Sequence, residues 1–168
     1  IGSLSFHDFY TYDHSINVSM YNILLYRLMR PDAYEADIVN AGMCGFLHDI
    51  GKIKIPNRIL NKVGKLTDEE FKQIQLHTIY GKDYLSKDGV KAPPGAKLDL
   101  IREVVFQHHE NYDGTGYPNK LRGEEIHFLA RMTAVADFFD AITTKRSYSE
   151  ALTIEEALDL MGRSRGKK

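Results

Sequence analysis

LIREVVFQHHENYDGTGYP, residues 100–118, decides how this chain is read. Leu100, Ile101, Val104 and Val105 recur at helical spacing and lead directly into two adjacent histidines, His108 and His109. Side chains at neighbouring helical positions point about 100° apart, so the pair cannot both lie in the middle of one apolar stripe. Two imidazoles at the end of an apolar helix are uneconomical for a core and natural for a site at its rim. Asp113, Gly114, Gly116 and Pro118 then supply what a tight loop needs, with no ligand required to explain them. The non-periodic stretch from Glu110 to Glu125 is long for a connection in a compact domain, which favours an ordered binding loop over a linker.

Working outward, the rest of the chain reads as helices. From Tyr12 to Met29 the residues Ile16, Met20, Ile23, Leu24 and Leu28 follow helical period until Pro31 stops them. Asp32 is a candidate cap for a second helix, with Ile38, Val39, Met43, Phe46, Leu47 and Ile50 as its buried stripe and His48-Asp49 in its last turn before Gly51. Between Lys52 and Lys65 the pattern predicts a loop with one helical turn around Asn57 to Leu60. Thr67-Asp68-Glu69-Glu70 has capping-box spacing and opens a third long helix that contains His77. The KDGVKAPPGAK break precedes the fourth helix, which carries His108-His109. Phe128 to Ile142 forms a fifth, with Asp137 and Asp140, and Thr153 caps a last helix to about Met161.

Composition bounds the function. The 168 residues, 43% hydrophobic, make one domain's worth of chain over 1–168. A net charge of -1, with signs mixed, gives no global basic field, so a nucleic-acid duplex is not an expected partner and an anionic ligand must be met by local groups. The one cysteine, Cys44, cannot form an internal disulfide and fits a reducing cytoplasm. No apolar run approaches the roughly 20 residues of a spanning helix, so no membrane contact is expected. The missing initiator methionine and the abrupt basic end, GRSRGKK, suggest a fragment of a longer protein.

The seven histidines are His7, His14, His48, His77, His108, His109 and His127. Any one of them alone on a helix is more often a satisfied core or surface residue. Several helices each offering one or two ligands, with Asp137 on a fifth, instead point to an imidazole and carboxylate metal site. The lack of thiolates argues against structural zinc and suits iron, manganese, nickel or zinc in a mixed site.

The motifs HDIGK (48–52), IPNRILNKVGKLTDEE, QLHTIYG, HHENYDGTGYPNKLRGEEI, ARMTAVADFFDAIT and KRSY together resemble the HD-GYP domain family, a group within the HD superfamily of metal-dependent phosphohydrolases. The resemblance runs from His14 to about Leu160 in the family's order. It implies an all-α fold, an HD-domain helical bundle of about five to seven helices. It also implies metal ligands at His14, His48, Asp49, His77, His108, His109 and Asp137, with Asp49 bridging two divalent ions, iron or manganese by family precedent. Such a pair would activate a hydroxide for in-line attack on a phosphodiester. Lys52 matches the family lysine that holds a substrate phosphate, and a compact ammonium suits a phosphate oxygen. Tyr117, Asp140 and Arg146 match positions near the nucleotide, although Arg146 past a helix end would be favourable to the helix dipole in any case.

The substrate so implied is cyclic di-GMP, opened to pGpG and in some members further to GMP. A diguanylate cyclase domain is the implied partner of the GYP loop, and a receiver or sensor domain the implied regulator. Two departures bear on this. Tyr10 stands where members with a third metal carry glutamate, which favours two ions. RSYS (146–149) replaces the common RPYK, which opens the choice between cyclic di-GMP and cyclic GMP-AMP. The other classes are a cyclic-dinucleotide receptor without turnover, whose mark would be a broken ligand set, and an HD phosphohydrolase for mononucleotides, which would not need His108-His109 or the GYP loop.

Overall fold

The computed structural model describes residues 6–145, 151–164 and 166, with side chains from residue 12 onward. Among these residues the regular structure is all helical: α1 Phe6–Met29, α2 Glu35–Leu47, α3 Asn57–Leu60, α4 Asp68–Gln75, α5 His77–Leu85, α6 Leu98–Gln107, α7 Phe128–Thr143 and α8 Ile154–Arg163. Two 3-10 turns, Ile50–Lys54 and Gly123–Glu125, complete it. Since α3 is a single turn, seven full helices meet the expected all-α bundle.

Helices α2, α6 and α7 pack on one another, α1 lies across α2 and α7, α5 lies on α6 and the first 3-10 turn, and α8 rests on α7. The core between them is built from Ala41, Cys44, Leu85, Ile101, Val104, Val105, Ile126, Leu129, Ala130 and Met132. Burying these side chains is the main driving force that holds the bundle.

The long-periodic segments fold as their sequences predict, and both threonine caps are present. Thr67 Oγ1 accepts from the Glu70 amide at 3.2 Å while Glu70 Oε2 accepts from the Thr67 amide at 2.8 Å. Thr153 and Glu156 repeat this reciprocal box at α8. Each cap is worth about 1 kcal/mol.

Expectations for α2 and for the third long helix are corrected, and α1 shows which of its faces is buried. The buried face of α1 is His14, Val18 and Asn22, whereas Met20, Leu24 and Leu28 are exposed. Gly45 explains the rotation: a Cβ there would meet the Val18 carbonyl oxygen at 2.7 Å and the Ser19 Cα at 2.9 Å, so the α1 backbone lies directly on α2 through that face. On α2 the buried residues are accordingly Asn40, Ala41, Gly42, Cys44 and Gly45, Phe46 is exposed, and Tyr34 rather than Asp32 precedes the helix. The expected third long helix is broken at Leu76 into α4 and α5. His77 Nδ1 donates to the Ile74 carbonyl at 2.7 Å and Thr78 Oγ1 to the Gln75 carbonyl at 3.1 Å, so side chains take acceptors that a continuing helix would use.

Candidate metal centre

Helix ends create the site. The last carbonyls of an α-helix lack partners within the helix. His48, just past α2, donates Nδ1–H to the Gly45 carbonyl at 2.7 Å, and His108, just past α6, donates to the Val105 carbonyl at 2.9 Å. His77 does the same at the end of α4. Hence His48, expected in the last turn of α2, and His108 instead terminate their helices. In each ring the Nδ1 proton is committed to the backbone, so Nε2 presents its lone pair to the interior.

These rings converge on Asp49, and its two carboxylate oxygens face different groups. Oδ1 lies 3.3 Å from His77 Nε2 and 3.8 Å from His108 Nε2, whereas Oδ2 lies 3.2 Å from His48 Nε2 and 3.8 Å from His14 Nε2. Asp137 Oδ1 joins the second group, 3.1 Å from His14 Nε2 and 4.0 Å from His48 Nε2. Asp49, His77, His108 and His109 thus form one set with ligand atoms within 4.8 Å of one another, and His14, His48 and Asp137 form another. All seven residues that the resemblance implies as ligands are brought together. His127 is not: its Nδ1 accepts from the Leu129 amide at 3.1 Å and caps α7.

The donor set fits divalent cations. His48 Nε2 and Asp49 Oδ1 are buried and make no hydrogen bond, an arrangement that costs free energy unless a cation takes up their lone pairs. Burial pushes the His77 imidazole down to about 3 and lowers His109 as well, so both rings are neutral at ordinary pH, the form that can coordinate a cation. Burial works to raise the Asp49 carboxyl, but Lys52 and His48 beside it hold it well below the usual range. Asp137 is likewise held low against its burial, chiefly by its hydrogen bond to His14. For His14, burial is outweighed by Asp137 and Asp140, which raise it to about 9.

Asp140, which the resemblance sets beside the nucleotide, has another place here. It is fully buried; its Oδ2 accepts from His14 Nδ1 at 2.6 Å, and its Oδ1 accepts from Asn17 Nδ2 at 2.8 Å and Thr144 Oγ1 at 3.1 Å. It is therefore the outer carboxylate that orients His14 rather than a group open to substrate. Sequence reasoning missed this role and that of Asn17; the three-residue spacing of Asp137 and Asp140 on α7 was the available signal.

Lys52 Nζ stands 2.5 Å from Asp49 Oδ2 at the rim of the cluster. Tyr117 tilts over His109, with ring centroids 4.8 Å apart, and has Phe71 and His77 around it. Burial, then Asp49 and Asp137, raise its phenol. Its loop is tethered by Glu110, a buried carboxylate that accepts from the Asn119 amide at 2.7 Å and the Leu121 amide at 3.1 Å. Asp113 orders the turn by accepting from the Thr115 amide and hydroxyl. Arg146 lies outside the described residues.

A helical bundle whose helix ends gather histidines and aspartates into one buried cluster defines an HD domain, and the HD domain family matches residues 24–168. The chain belongs to that metal-dependent family, and within it to the HD-GYP group. A cyclic di-GMP phosphodiesterase of Pseudomonas aeruginosa is 43% identical over 161 residues, covering 95% of this chain and 36% of that protein. The 3'3'-cGAMP-specific phosphodiesterase 2 of Vibrio cholerae is 37% identical over 155 residues, covering 92% of this chain and 28% of that protein. The chain therefore spans about a third of the length of these relatives. Among solved structures, an HDG"Y"P protein from Bdellovibrio bacteriovorus shares the fold with a TM-score of 0.71 at 22% identity, covering 98% of this chain and 50% of that one. No helix among the described residues is long and apolar enough to cross a membrane.

Proposed function

We propose that this chain is the hydrolytic domain of a metal-dependent phosphodiesterase that opens cyclic di-GMP to pGpG, with GMP as a further product. The observation that carries the reading is the division of Asp49, one oxygen toward His77 and His108 and the other toward His14 and His48. A carboxylate so placed suits a shared ligand of two ions, with His14, His48 and Asp137 completing one coordination set and His77, His108 and His109 the other. Iron or manganese fits this imidazole and carboxylate mixture. When bound, such ions supply Lewis-acid activation of the phosphodiester and of the attacking water.

The chain's own residues do the rest. The three backbone-tethered histidines and the Asp140–His14 pair fix ring orientation before any ion arrives, so little reorganisation is needed on binding. Lys52, at the rim beside Asp49, is placed to exchange its carboxylate contact for a substrate phosphate oxygen. Tyr117 covers His109 and restricts water on that side. No protein general base is assigned. Arg146 stays a proposed nucleotide contact. The GYP loop is the proposed docking element for a diguanylate cyclase domain, with a receiver or sensor domain as regulator in a longer chain. The buried free thiol of Cys44 supports a cytoplasmic setting.

Cyclic GMP-AMP is the second substrate reading, favoured by the similarity to the Vibrio cholerae protein named for it. The test is anaerobic reconstitution with ferrous iron and, in parallel, manganese, with both cyclic dinucleotides followed by chromatography and bound metal measured. A linear dinucleotide with about two ions per chain is the expected result. Full metal occupancy with bound, uncleaved nucleotide would replace the enzyme with a receptor.

A further inference from the structure

A cavity of about 330 Å³ opens beside the metal centre, with Asp49 and Lys52 in its lining. Its opposite walls come from three separate elements: Tyr12 on α1, Phe46 on α2 and Ile53 on the first 3-10 turn. These three large apolar side chains are 58%, 39% and 63% exposed, and neither ring has an aromatic or cationic partner among the described residues. Single exposed apolar residues need no explanation. Three that line one cavity together with Asp49 and Lys52 give it an apolar surface next to a cationic group. Asn57 and Asn61, one helical turn apart around α3, line the same cavity, and neither side-chain amide bonds to a protein group among the described residues.

We infer that this cavity is the nucleobase subsite, in which Phe46 and Tyr12 pack against the faces of a purine whose ribose phosphate reaches Lys52 and Asp49, while Asn57 and Asn61 read its edge. The inference rests on the nucleotide reading above and adds residues to it. The volume is at the low end for small-molecule sites, so the cavity takes one nucleoside half of a dinucleotide. An apolar slot holds guanine and adenine alike, because every base has a π-face. The two amides can bond to either base, since a side chain that donates to guanine O6 and accepts from N1–H can, once flipped, donate to adenine N1 and accept from its N6 amine.

The test is calorimetric titration of the metal-loaded protein with GMP, AMP and ribose 5-phosphate, none of which is a substrate for a phosphodiesterase. Wild type should bind GMP at least about tenfold more tightly than ribose 5-phosphate, the gain from stacking one base. In Phe46→Ala that ratio should collapse toward one with ribose 5-phosphate affinity unchanged. The double variant Asn57→Ala/Asn61→Ala should keep the stacking gain and weaken GMP and AMP alike. Equal affinity for GMP and ribose 5-phosphate in wild type, or a ratio unaltered by Phe46→Ala, overturns the subsite. Cleavage of cyclic di-GMP by the same samples separates the two readings: cleavage without a base-dependent ratio removes the subsite alone, and a Phe46-dependent ratio without cleavage removes the phosphodiesterase alone.

Discussion

Replacing Asp140 by Asn tests whether a residue that touches no ion governs the affinity for one. The carboxylate accepts three hydrogen bonds, from His14 at 2.6 Å, Asn17 at 2.8 Å and Thr144 at 3.1 Å. An amide can accept on only one of its two ends. If its NH2 faces His14, the imidazole must move its proton to Nε2, and the nitrogen aimed at the centre loses its lone pair. If its oxygen faces His14, Asn17 and Thr144 must turn to accept, and the bond to His14 loses its charge assistance. Charged hydrogen bonds contribute about 1.5–3 kcal/mol and neutral ones about 0.5–1.5. Even the cheaper orientation thus costs about 1 kcal/mol, and the tautomer change adds to it. The expected result is a 10–100-fold loss of metal affinity, typical of outer carboxylates that orient ligand histidines, or about 1.4–2.8 kcal/mol. Competition of the purified protein with a chromophoric chelator for manganese measures it. An affinity within threefold of wild type would refute the assignment, whatever happens to thermal stability.

Other substitutions separate roles. Asp49→Ala should lose metal and activity together, while Lys52→Ala should retain full metal content and lose about 100-fold or more in kcat/KM; elemental analysis beside kinetics checks the pair, and metal loss in Lys52→Ala would contradict its rim position. Gly51→Ala should cost about 3 kcal/mol or more, a fall in Tm of roughly 6–12 °C, because its Cβ would overlap the His77 carbonyl oxygen and crowd the Gly81 amide at 2.5 Å; an unchanged melting curve would rule out this close crossing. Glu110→Gln should raise hydrogen exchange at the Asn119 and Leu121 amides by removing about 1.5–3 kcal/mol of charge-assisted bonding, and unaltered protection there would show that the carboxylate does not hold the loop. Burial pushes the Cys44 thiol up to about 12, so at pH 8 a disulfide reagent should modify it only as fast as the fold opens; immediate stoichiometric modification would place it outside the core.

What could be read in advance was what is written locally. The α6 stripe leading to His108, the Thr67 and Thr153 boxes and the turn at Asn57 to Leu60 each depend on residues within one or two helical turns. The buried face of α1 was not legible, for a different reason. Met20, Leu24 and Leu28 are apolar and periodic, but α1 is turned inward by His14 and by the glycine contact with α2, which depends on a residue more than twenty positions away. The break at Leu76 was hidden for a related reason: a histidine and a threonine, unremarkable in sequence, take helix carbonyls only once the ring is drawn toward Asp49. Asp140 was legible as a carboxylate on the same helix as Asp137. Its partner His14 lies 126 residues away, and only packing joins them.

The tethering of His48, His77 and His108 to the ends of α2, α4 and α6 has an electrostatic consequence. Helices α2 and α6 end at the centre with their carbonyl ends, the negative pole of the macrodipole, which carries about half an elementary charge, whereas at His77 the end of α4 meets the start of α5 and the two poles offset each other. These two poles, beside the buried carboxylates Asp49 and Asp137, make a local field that favours a cation between the histidines. The same carbonyl ends that fix the three imidazoles therefore also set the sign of charge that the cluster favours, and leave the Lys52 ammonium at the rim as the nearby cationic group.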